Sequence, residues 1–354
     1  MSAWERLTSA LRDTGVEGLV VCGLPNVRYL TGFTGSSALL LALRDGGVFF
    51  TDGRYQLQAD HEVRGAKVVV ARGSLIAALV TSLKRRKLRR VGFESRRANY
   101  ELYATLRSGL PGVQIKPLAG VVETLRAIKT SEEIAALRRA VELNSVIFET
   151  CLREVRPGRT EREVADGMEA EMRRRGGDKP AFETIVAGGP RSAYPHAKPT
   201  LNRLKRNDLV ILDHGVILDG YSSDMTRTVA LGGLSRQGRR VYQAVLEAQQ
   251  AGIAAVRPGI QAAEVDRQTR MVLRKHGLES AFVHSTGHGV GLEIHEPPRL
   301  GRREKTRLET GMVVTIEPGV YLEGVGGVRI EDMVVVKPNG CEVLTPTPKE
   351  LRVL

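Results

Sequence analysis

Two aspartates on one apolar segment are the first residues of this chain that could do chemistry. The segment begins with the apolar run 209–212, reaches Asp213, passes a turn at Gly215 and arrives at a second carboxylate, Asp224. An apolar run bounded by glycine predicts a buried β-strand, where aspartate is uncommon unless its charge is compensated. The pattern therefore indicates that both acids face a cation.

An internal duplication places an acid at the same point of a later segment. The motif RPG at 156–158, the pair EV at 163–164 and Gly176 recur 101 positions later, at 257–259, 264–265 and Gly277. The segment DHGVILDG, residues 213–220, matches EPGVYLEG, residues 317–324, at an offset of 104. Glu317 is therefore the counterpart of Asp213.

The second copy offers further acids after Glu317. Glu331 and Asp332 follow it by 14 and 15 positions, whereas Asp224 follows Asp213 by 11. If the copies pack about a pseudo-twofold axis, their acid-bearing strands bring four carboxylates into one cleft. Four buried like charges repel strongly, and divalent cations would neutralise them. The alternative, four exposed turn acids, does not explain their matched positions.

Histidines stand before both acid-bearing strands. His196 precedes the first strand, and His284, His288 and His295 precede the second in a glycine-rich stretch. Three of the seven histidines thus fall within 12 positions. Glycines on both sides of His288 would let the backbone approach an ion and leave the imidazole unobstructed.

Other catalytic motifs are missing from the sequence. The pair His295-Glu296 is not followed by histidine at the zincin spacing, because Arg299 occupies that place. The chain has no Walker A loop, no G-x-S-x-G elbow and no full G-x-G-x-x-G. These absences disfavour a serine hydrolase and a nucleotide-dependent enzyme.

Length and composition favour a two-domain cytoplasmic protein. The chain has 354 residues, 42% of them hydrophobic, and no apolar run near the roughly 20 residues that span a bilayer. Its start lacks a signal-peptide core. Cys22, Cys151 and Cys341 are scattered and form no C-x-x-C pair, so we expect reduced, structural cysteines.

The net charge of +13 raises the question of an anionic partner. The basic residues are mostly mixed with glutamate in helix-like segments, and the dense cluster at 84–90 contains no aromatic residue. We interpret them as solvated faces and expect neither a nucleic-acid nor a membrane partner.

The elements that must position the site fall into two parts. Residues 1–125 alternate between helix and strand, which predicts an α/β domain with a mixed sheet. The predicted helices cover 4–13, 75–84 and 100–108. The predicted strands cover 18–22, 38–43, 47–51, 67–71 and 90–94. The polar segments 29–37 and 51–55 are expected to be turns, either ordinary or facing substrate.

The second part begins near 126–129. Thr130 and Glu133 have the spacing of a capping box, and apolar residues then recur at helical intervals, so a long helix should open this domain. We therefore expect two domains, residues 1–125 and 126–354.

With these motifs in place, the chain resembles metallopeptidase family M24, and within it the Xaa-Pro peptidases prolidase and aminopeptidase P. The resemblance extends from YLTGFTGSS and TDGRY near the N-terminus to VRIEDMVVV near the C-terminus. It implies an α/β fold class: a creatinase-like α/β domain followed by a catalytic pita-bread domain, which is a duplicated α+β unit.

The resemblance also implies a dinuclear site. Asp213 would bind one ion, His288 and Glu317 the other, and Asp224 and Glu331 would bridge them. Supporting roles fall to His196, His284, His295 and Arg329. Glu317 would shuttle a proton, and His295 or His196 would support the oxyanion. The sequence departs from the family at Ala197, where the Pro-His-Gly motif usually has glycine, and this leaves the loop beside His196 undetermined.

The implied cofactors are two divalent metal ions per chain. Four carboxylates and one imidazole favour Mn²⁺ or Co²⁺, with Zn²⁺ as the alternative. The implied partners are proline-containing di- or oligopeptides and, by family habit, a second copy in a homodimer.

Arg299 bears on which peptidase this is. Lying four residues after His295, its guanidinium could pair with the C-terminal carboxylate of a dipeptide, which favours a prolidase. The alternatives are a surface arginine in an aminopeptidase P-like enzyme acting on longer peptides, a pita-bread binding protein without catalysis, and a metal-free amidinohydrolase resembling creatinase. The last two should have lost metal ligands, and all five are present. A simple methionine aminopeptidase would leave the N-terminal domain unexplained.

Overall fold

A computed structural model describes residues 2–354 and separates them into two compact units. The first unit ends at Arg126 and the second covers Ala127–Leu354. Both expectations of fold class, an α/β unit followed by a duplicated α+β unit, are confirmed.

The first unit is built on one mixed sheet of six strands in the order β4-β3-β2-β1-β5-β6. The strands are β1 Gly18–Val21, β2 Leu39–Leu43, β3 Gly46–Asp52, β4 Ala66–Ala71, β5 Arg90–Glu94 and β6 Gln114–Leu118. The helices are α1 Ala3–Thr14, α2 Leu24–Thr31, α3 Gln56–Glu62, α4 Leu75–Arg86, α5 Tyr100–Gly109 and α6 Val121–Ala127. Strand β1 pairs antiparallel with β2 and parallel with β5.

Alternate residues of the central strands supply two cores. In β1, Leu19 and Val21 pack into one apolar cluster and Val20 into the other. Successive side chains of a strand point to opposite faces, so both faces of this sheet are covered. This explains why the strand has an apolar residue at each of these positions rather than an apolar–polar alternation.

The predicted turn at 29–37 is wrong in its first part, because helix α2 continues to Thr31. Pro25 in the first turn and Gly32 in a left-handed conformation (φ 82°) at the end mark this helix in the sequence. The helix is short, and its apolar residues are too few to show a helical period. The predicted helices and strands of this unit are confirmed to within a few residues.

The second unit contains four long helices and two sheets that carry the acids. The helices are α7 Ser131–Cys151, α8 Glu161–Arg174, α9 Arg236–Ala255 and α10 Ala262–Lys275. The strands of its first half are β7 Lys179–Pro180, β8 Ile185–Gly188, β9 Leu209–His214, β10 Val216–Leu218, β11 Tyr221–Ser222 and β12 Met225–Ala230. Those of its second half are β13 Gly287–Gly289, β14 Glu296–Leu300, β15 Val313–Ile316, β16 Gly319–Leu322, β17 Gly326–Arg329, β18 Asp332–Lys337, β19 Gly340–Val343 and β20 Arg352–Val353.

The capping box that opens this unit is confirmed. The Thr130 hydroxyl accepts from the Glu133 backbone N–H at 3.3 Å, and the Glu133 carboxylate accepts from the Thr130 N–H at 2.9 Å. These bonds satisfy two amide groups that the first turn of α7 would otherwise leave unpaired.

The duplication is visible in backbone pairing as well as in sequence. Thr160 pairs with Arg203 in an isolated bridge, and Gln261 pairs with Arg307 in the same way. The order β8-β9-β12 in one sheet corresponds to β13-β15-β18 in the other. In each half, therefore, the strand carrying the first acid lies between two antiparallel neighbours.

The two halves meet where the acids lie. The backbone N–H of Glu331 donates to the carbonyl of Thr226 on β12 at 3.1 Å, and the N–H of Arg329 donates to the Thr228 hydroxyl at 3.1 Å. These contacts bring the end of β17 and the start of β18 against the β9–β12 hairpin. Within residues 2–354, no helix has both the length and the apolar character needed to cross a bilayer.

Candidate metal centre

Three of the predicted ligands converge in the second unit. One ligand atom from each of Asp224, His288 and Glu331 lies within 4.8 Å of the others. The His288 Nε2 atom is 3.5 Å from Asp224 Oδ2 and 3.4 Å from Glu317 Oε1. Glu317 therefore borders the cluster through the same imidazole.

Asp213 joins the centre through a buried arginine. The Arg329 guanidinium donates to Asp213 Oδ2 at 2.6 Å and to the Thr226 hydroxyl at 3.1 Å. That hydroxyl in turn donates to Glu331 Oε2 at 2.8 Å. The Arg329 guanidinium thus holds Asp213 directly and Glu331 through the Thr226 hydroxyl. These contacts fit the supporting role expected for Arg329.

Strand alternation separates Glu331 from its neighbour Asp332. Asp332 is fully buried, but its carboxylate pairs with Arg227 at 2.7 Å and accepts from Gln249 at 2.9 Å. Successive side chains of an extended chain point to opposite sides. Of the two acids that spacing alone left open, only Glu331 therefore faces the cluster.

The orientation of His288 suits metal binding. Its Nδ1 atom lies 3.0 Å from the carbonyl oxygen of Gly289, so this nitrogen carries the proton. The lone pair of Nε2 is then directed at the carboxylates of Asp224 and Glu317. A histidine that binds a metal must be neutral, and burial lowers the pKa of His288.

The glycines beside His288 are required by the packing of neighbouring strands. A Cβ atom at Gly287 would lie 1.9 Å from the carbonyl oxygen of Thr315, and one at Gly289 would lie 2.3 Å from that of Pro297. Glycine is needed at both positions because neighbouring strand backbones approach β13 closely.

Burial and mutual repulsion make it unfavourable for all the carboxylates of the centre to be ionised at once. Burial, and then the charges of Glu331, Asp213 and Glu317, raise the pKa of Asp224 well above its ordinary value. Burial and the charges of Glu317 and Asp213 do the same for Glu331, and burial raises the pKa of Glu317 to about 7. These shifts express the cost of gathering like charges out of water.

The side chains of this centre fit divalent cations. Among residues 2–354, Asp213 Oδ1 and Glu331 Oε1 are buried side-chain oxygens without a hydrogen-bond partner. A buried carboxylate oxygen normally has a donor or a metal. Unpaired oxygens, repelling carboxylates and one neutral imidazole are the donor set that oxygen-preferring divalent ions require.

A tyrosine links His284 to Arg329. His284 Nδ1 lies 2.8 Å from the Ser285 carbonyl oxygen, which assigns the proton to Nδ1 and leaves Nε2 to accept from the Tyr321 hydroxyl at 2.9 Å. The same hydroxyl accepts from Arg329 at 2.6 Å. Burial and then the Arg329 charge lower the pKa of His284 to about 4, so the imidazole stays neutral.

His295 and His196 lie on the solvent side of the centre. The His295 ring is 4.3 Å from that of His288, edge to face. Burial, followed by the charges of His288 and His196, lowers the pKa of His295 to about 4. His196 is exposed, and the carbonyl of the preceding Pro195 accepts from Arg329 at 3.1 Å.

Arg299 is placed beside the centre by strand pairing. On β14 it stands directly opposite His288 of β13. Opposed residues of an antiparallel pair project from the same face of the sheet. The exposed Arg299 side chain therefore shares a face with a predicted metal ligand, as its proposed contact with substrate requires.

Sequence reasoning missed three residues that hold this centre together: Tyr321, Thr226 and Thr315. The Thr315 hydroxyl donates to Glu317 at 3.3 Å, and the roles of the other two are described above. Each stands within four positions of a predicted ligand along the chain. Tyrosine and threonine are common strand residues, so the residue types alone do not mark these three positions as part of the centre.

Comparison with known proteins agrees with this geometry. Residues 135–338 match the model of metallopeptidase family M24, and residues 4–128 match that of the creatinase/prolidase N-terminal domain. The chain belongs to metallopeptidase family M24. It is therefore a peptidase, and divalent metal ions are its cofactors.

Individual relatives are similar over nearly their whole length. A Xaa-Pro dipeptidase of Pyrococcus furiosus is 36% identical, over 98% of both chains. The solved structure of a Xaa-Pro dipeptidase from Bacillus anthracis is 39% identical over 99% of both chains, with a TM-score of 0.97. The structure of an X-Pro aminopeptidase from Thermotoga maritima is 33% identical over 98% of this chain and 100% of its own, with a TM-score of 0.91.

The raised carboxylate pKa values predict how pH affects the protein after chelation. Above about pH 7 the buried histidines add little to the pH dependence of stability, because their pKa in the unfolded chain is near 6.5. The raised pKa values of Asp224, Glu317 and Glu331 make the folded chain hold extra protons. The stability of chelated protein should therefore fall as pH rises from about 7 to about 8, since folding must retain those protons.

Calorimetry of chelated protein at several pH values measures this effect. Added divalent ions should raise the melting temperature more at the upper pH, because binding displaces the retained protons. Asp224→Asn should flatten the decline, since one repelling charge is gone. A melting temperature of chelated protein that rises across this interval contradicts the prediction.

Proposed function

We propose that this protein is a divalent-metal-dependent Xaa-Pro dipeptidase, a prolidase. The observation that carries the proposal is the convergence of Asp224, His288 and Glu331, bordered by Glu317 and by the Arg329-bound Asp213. The Xaa-Pro dipeptidases of Pyrococcus furiosus and Bacillus anthracis, similar over nearly the whole chain, support the choice of substrate.

Five residues would hold two metal ions. Asp213 would bind one, His288 and Glu317 the other, and Asp224 and Glu331 would bind both. When bound, such ions acidify a water molecule and polarise the scissile carbonyl group. The oxygen-rich set favours Mn²⁺ or Co²⁺ over Zn²⁺.

The surrounding side chains would orient the substrate and move protons. The Glu317 carboxylate, 3.4 Å from His288 Nε2, can accept a proton from the attacking water and pass it to the proline nitrogen. His295, neutral at pH 7, can donate an N–H to the developing oxyanion, and the exposed His196 can do the same from the other loop.

Arg329 and Tyr321 would keep this machinery in one geometry. The guanidinium holds the Asp213 carboxylate, and the Tyr321 hydroxyl joins the guanidinium to His284. Because both are largely enclosed, their hydrogen bonds are shielded from water and fix the carboxylate direction.

The alternatives differ in substrate or in catalysis. An aminopeptidase P-like enzyme would use the same centre on longer peptides, as the similarity to an X-Pro aminopeptidase illustrates. A non-catalytic binding protein or a creatinase-like hydrolase would not need all five ligand types, which this chain retains.

Metal dependence is the first test. Protein stripped by chelation should lose Xaa-Pro dipeptide hydrolysis and regain it with Mn²⁺ or Co²⁺, and metal analysis should find close to two ions per chain. Asp224→Asn should abolish activity because a bridging ligand serves both ions. The same change at the exposed Asp166 of α8 should leave activity intact. Turnover that persists without metal refutes the proposal.

Arg299 tests the preference for dipeptides. Arg299→Ala should raise KM for Xaa-Pro dipeptides by a free-energy difference of roughly 1.5–3 kcal/mol, the range for a hydrogen bond to a charged group. Tripeptides of the form Xaa-Pro-Xaa should be little affected, because their carboxylate lies elsewhere. Arg303→Ala removes an exposed charge four positions on and serves as the control.

Steady-state kinetics on both substrates distinguish the candidates. Equal losses on dipeptide and tripeptide, or a wild-type enzyme that prefers tripeptides, would assign the chain to the aminopeptidase P-like class instead.

We also propose a cytoplasmic homodimer in which the first unit of one copy lies near the cleft of the other. The support is the family habit and an ordered polar cluster on the first unit that has no catalytic motif of its own. In that cluster Ser37 donates to Asp52 at 2.7 Å, and Ser36 bonds Tyr55 at 2.6 Å. Light scattering at micromolar concentration should give twice the 38.7 kDa chain mass, and a monomer would contradict this proposal.

A further inference from the structure

The loop that carries His196 is tied at both ends to one buried carboxylate. Glu161, the first residue of α8, is fully buried. Its oxygens accept from the backbone N–H of Gly188 at 3.1 Å and from that of Thr200 at 3.0 Å. These two residues bracket the segment 189–199, in the middle of which His196 lies.

Further donors complete the arrangement. The Thr200 hydroxyl donates to Glu161 at 2.7 Å and the Asn202 amide at 3.2 Å. The Arg191 Nε atom donates to both carboxylate oxygens at 3.0 Å. The Nη2 atom of the same residue donates to the Lys198 carbonyl at 2.8 Å. An isolated buried carboxylate would be costly, whereas this one is paired and surrounded by donors.

The far side of the same loop touches the metal centre. The carbonyl of Pro195, next to His196, accepts from Arg329, which also holds Asp213. The Ser192 hydroxyl accepts from the backbone N–H of Gly327 on β17 at 2.7 Å. The exposed imidazole is therefore carried by a backbone fixed at its ends by Glu161 and near its middle by the second half of the unit.

The duplication shows that this carboxylate is not required by the scaffold itself. The backbone N–H of Glu161 donates to the Asn202 carbonyl at 3.0 Å, and at the matching place the N–H of Ala262 donates to the Thr306 carbonyl at 2.8 Å. The second copy thus forms the same backbone contact with alanine where the first has glutamate. The fold can be built without an acid at this point.

The second copy fixes its own histidine loop by other residues. Asp266 of α10 accepts from the N–H and hydroxyl of Thr286, and it pairs with Arg270 at 2.8 Å. Arg270 donates to the carbonyls of Phe282 and His284, the latter at 2.5 Å. In each half, therefore, a buried acid paired with an arginine holds the histidine loop, from positions that the duplication does not relate.

We propose that the pair formed by buried Glu161 and half-buried Arg191 positions His196: it fixes both ends of the segment 189–199 and so sets where this imidazole lies beside the metal centre. This inference rests on the proposed function, since His196 matters only if the centre hydrolyses peptides. Glu161 and Arg191 are positioning residues that act through the loop and do not touch substrate.

Glu161→Gln is the sharpest variant. Both carboxylate oxygens accept from at least two donors, so the amide nitrogen of glutamine would face other donors whichever way it turns. The matched control is Glu163→Gln on the same helix turn, where an exposed carboxylate caps Thr160 and pairs with Arg159, both of which lie outside the loop.

Hydrogen exchange of the full-length, Mn²⁺-loaded protein reads the loop directly. Amides of 189–199 should exchange about tenfold faster in Glu161→Gln than in wild type, and at wild-type rates in Glu163→Gln. Unchanged exchange in Glu161→Gln overturns the proposal, whether or not the protein proves to be a dipeptidase. If Glu161→Gln does not fold, Arg191→Gln, at a half-buried position, gives the same test with the carboxylate retained.

A double-mutant cycle separates positioning from general loss of stability. Glu161→Gln should lower kcat/KM for a Xaa-Pro dipeptide by about tenfold in the wild-type background and by less than about twofold in the His196→Ala background. Equal losses in both backgrounds, or an activity that His196→Ala leaves unchanged, refute the positioning role. A wild-type enzyme that cleaves no Xaa-Pro dipeptide refutes the proposed function, and the exchange measurement then decides whether Glu161 holds the loop.

Discussion

Repulsion among four closely placed carboxylates is the constraint on which the catalytic unit depends. Asp213, Asp224 and Glu331 are buried and Glu317 is largely enclosed, so water screens their charges poorly, and the pKa values of Asp224, Glu331 and Glu317 are raised in consequence. The Arg329 guanidinium neutralises part of this negative charge. The carboxylate oxygens without a hydrogen-bond partner indicate that the remaining negative charge is neutralised by bound cations.

Duplication supplies the geometry at little structural cost. Each half contributes a three-stranded antiparallel core with an acid at or just after the end of its central strand, and packing the halves together brings those ends towards one another. The halves then diverge. The second has three more residues between its acids, and they lengthen the β16–β17 hairpin that carries Tyr321 and Arg329.

That divergence makes a symmetric scaffold into an asymmetric centre. Arg329 donates to Asp213 in the first half, while Tyr321 donates to His284 in the second half. The hydroxyl between them donates to one neighbour and accepts from the other, so its proton has a single placement. Such fully satisfied buried networks favour one arrangement of the groups they join. The chain is similar to both dipeptidase and aminopeptidase structures, so overall likeness does not choose between dipeptides and longer peptides as substrates.

The sequence by itself determined what depends on short stretches of chain. The apolar run before Asp213 fixed a buried strand, Thr130 and Glu133 fixed the start of α7, and the repeated motifs revealed the duplication and the kinds of ligand. The resemblance already implied Glu331, and the tertiary structure gives the reason, because the Asp332 carboxylate pairs with Arg227 instead. Tertiary structure alone decided that strand packing demands Gly287 and Gly289 and that Tyr321 and Glu161 hold the histidines. The physical reason is distance along the chain. Caps and strand periods act between residues a few positions apart, whereas the Arg329–Asp213 bond joins residues 116 positions apart, and only the packed fold brings them together.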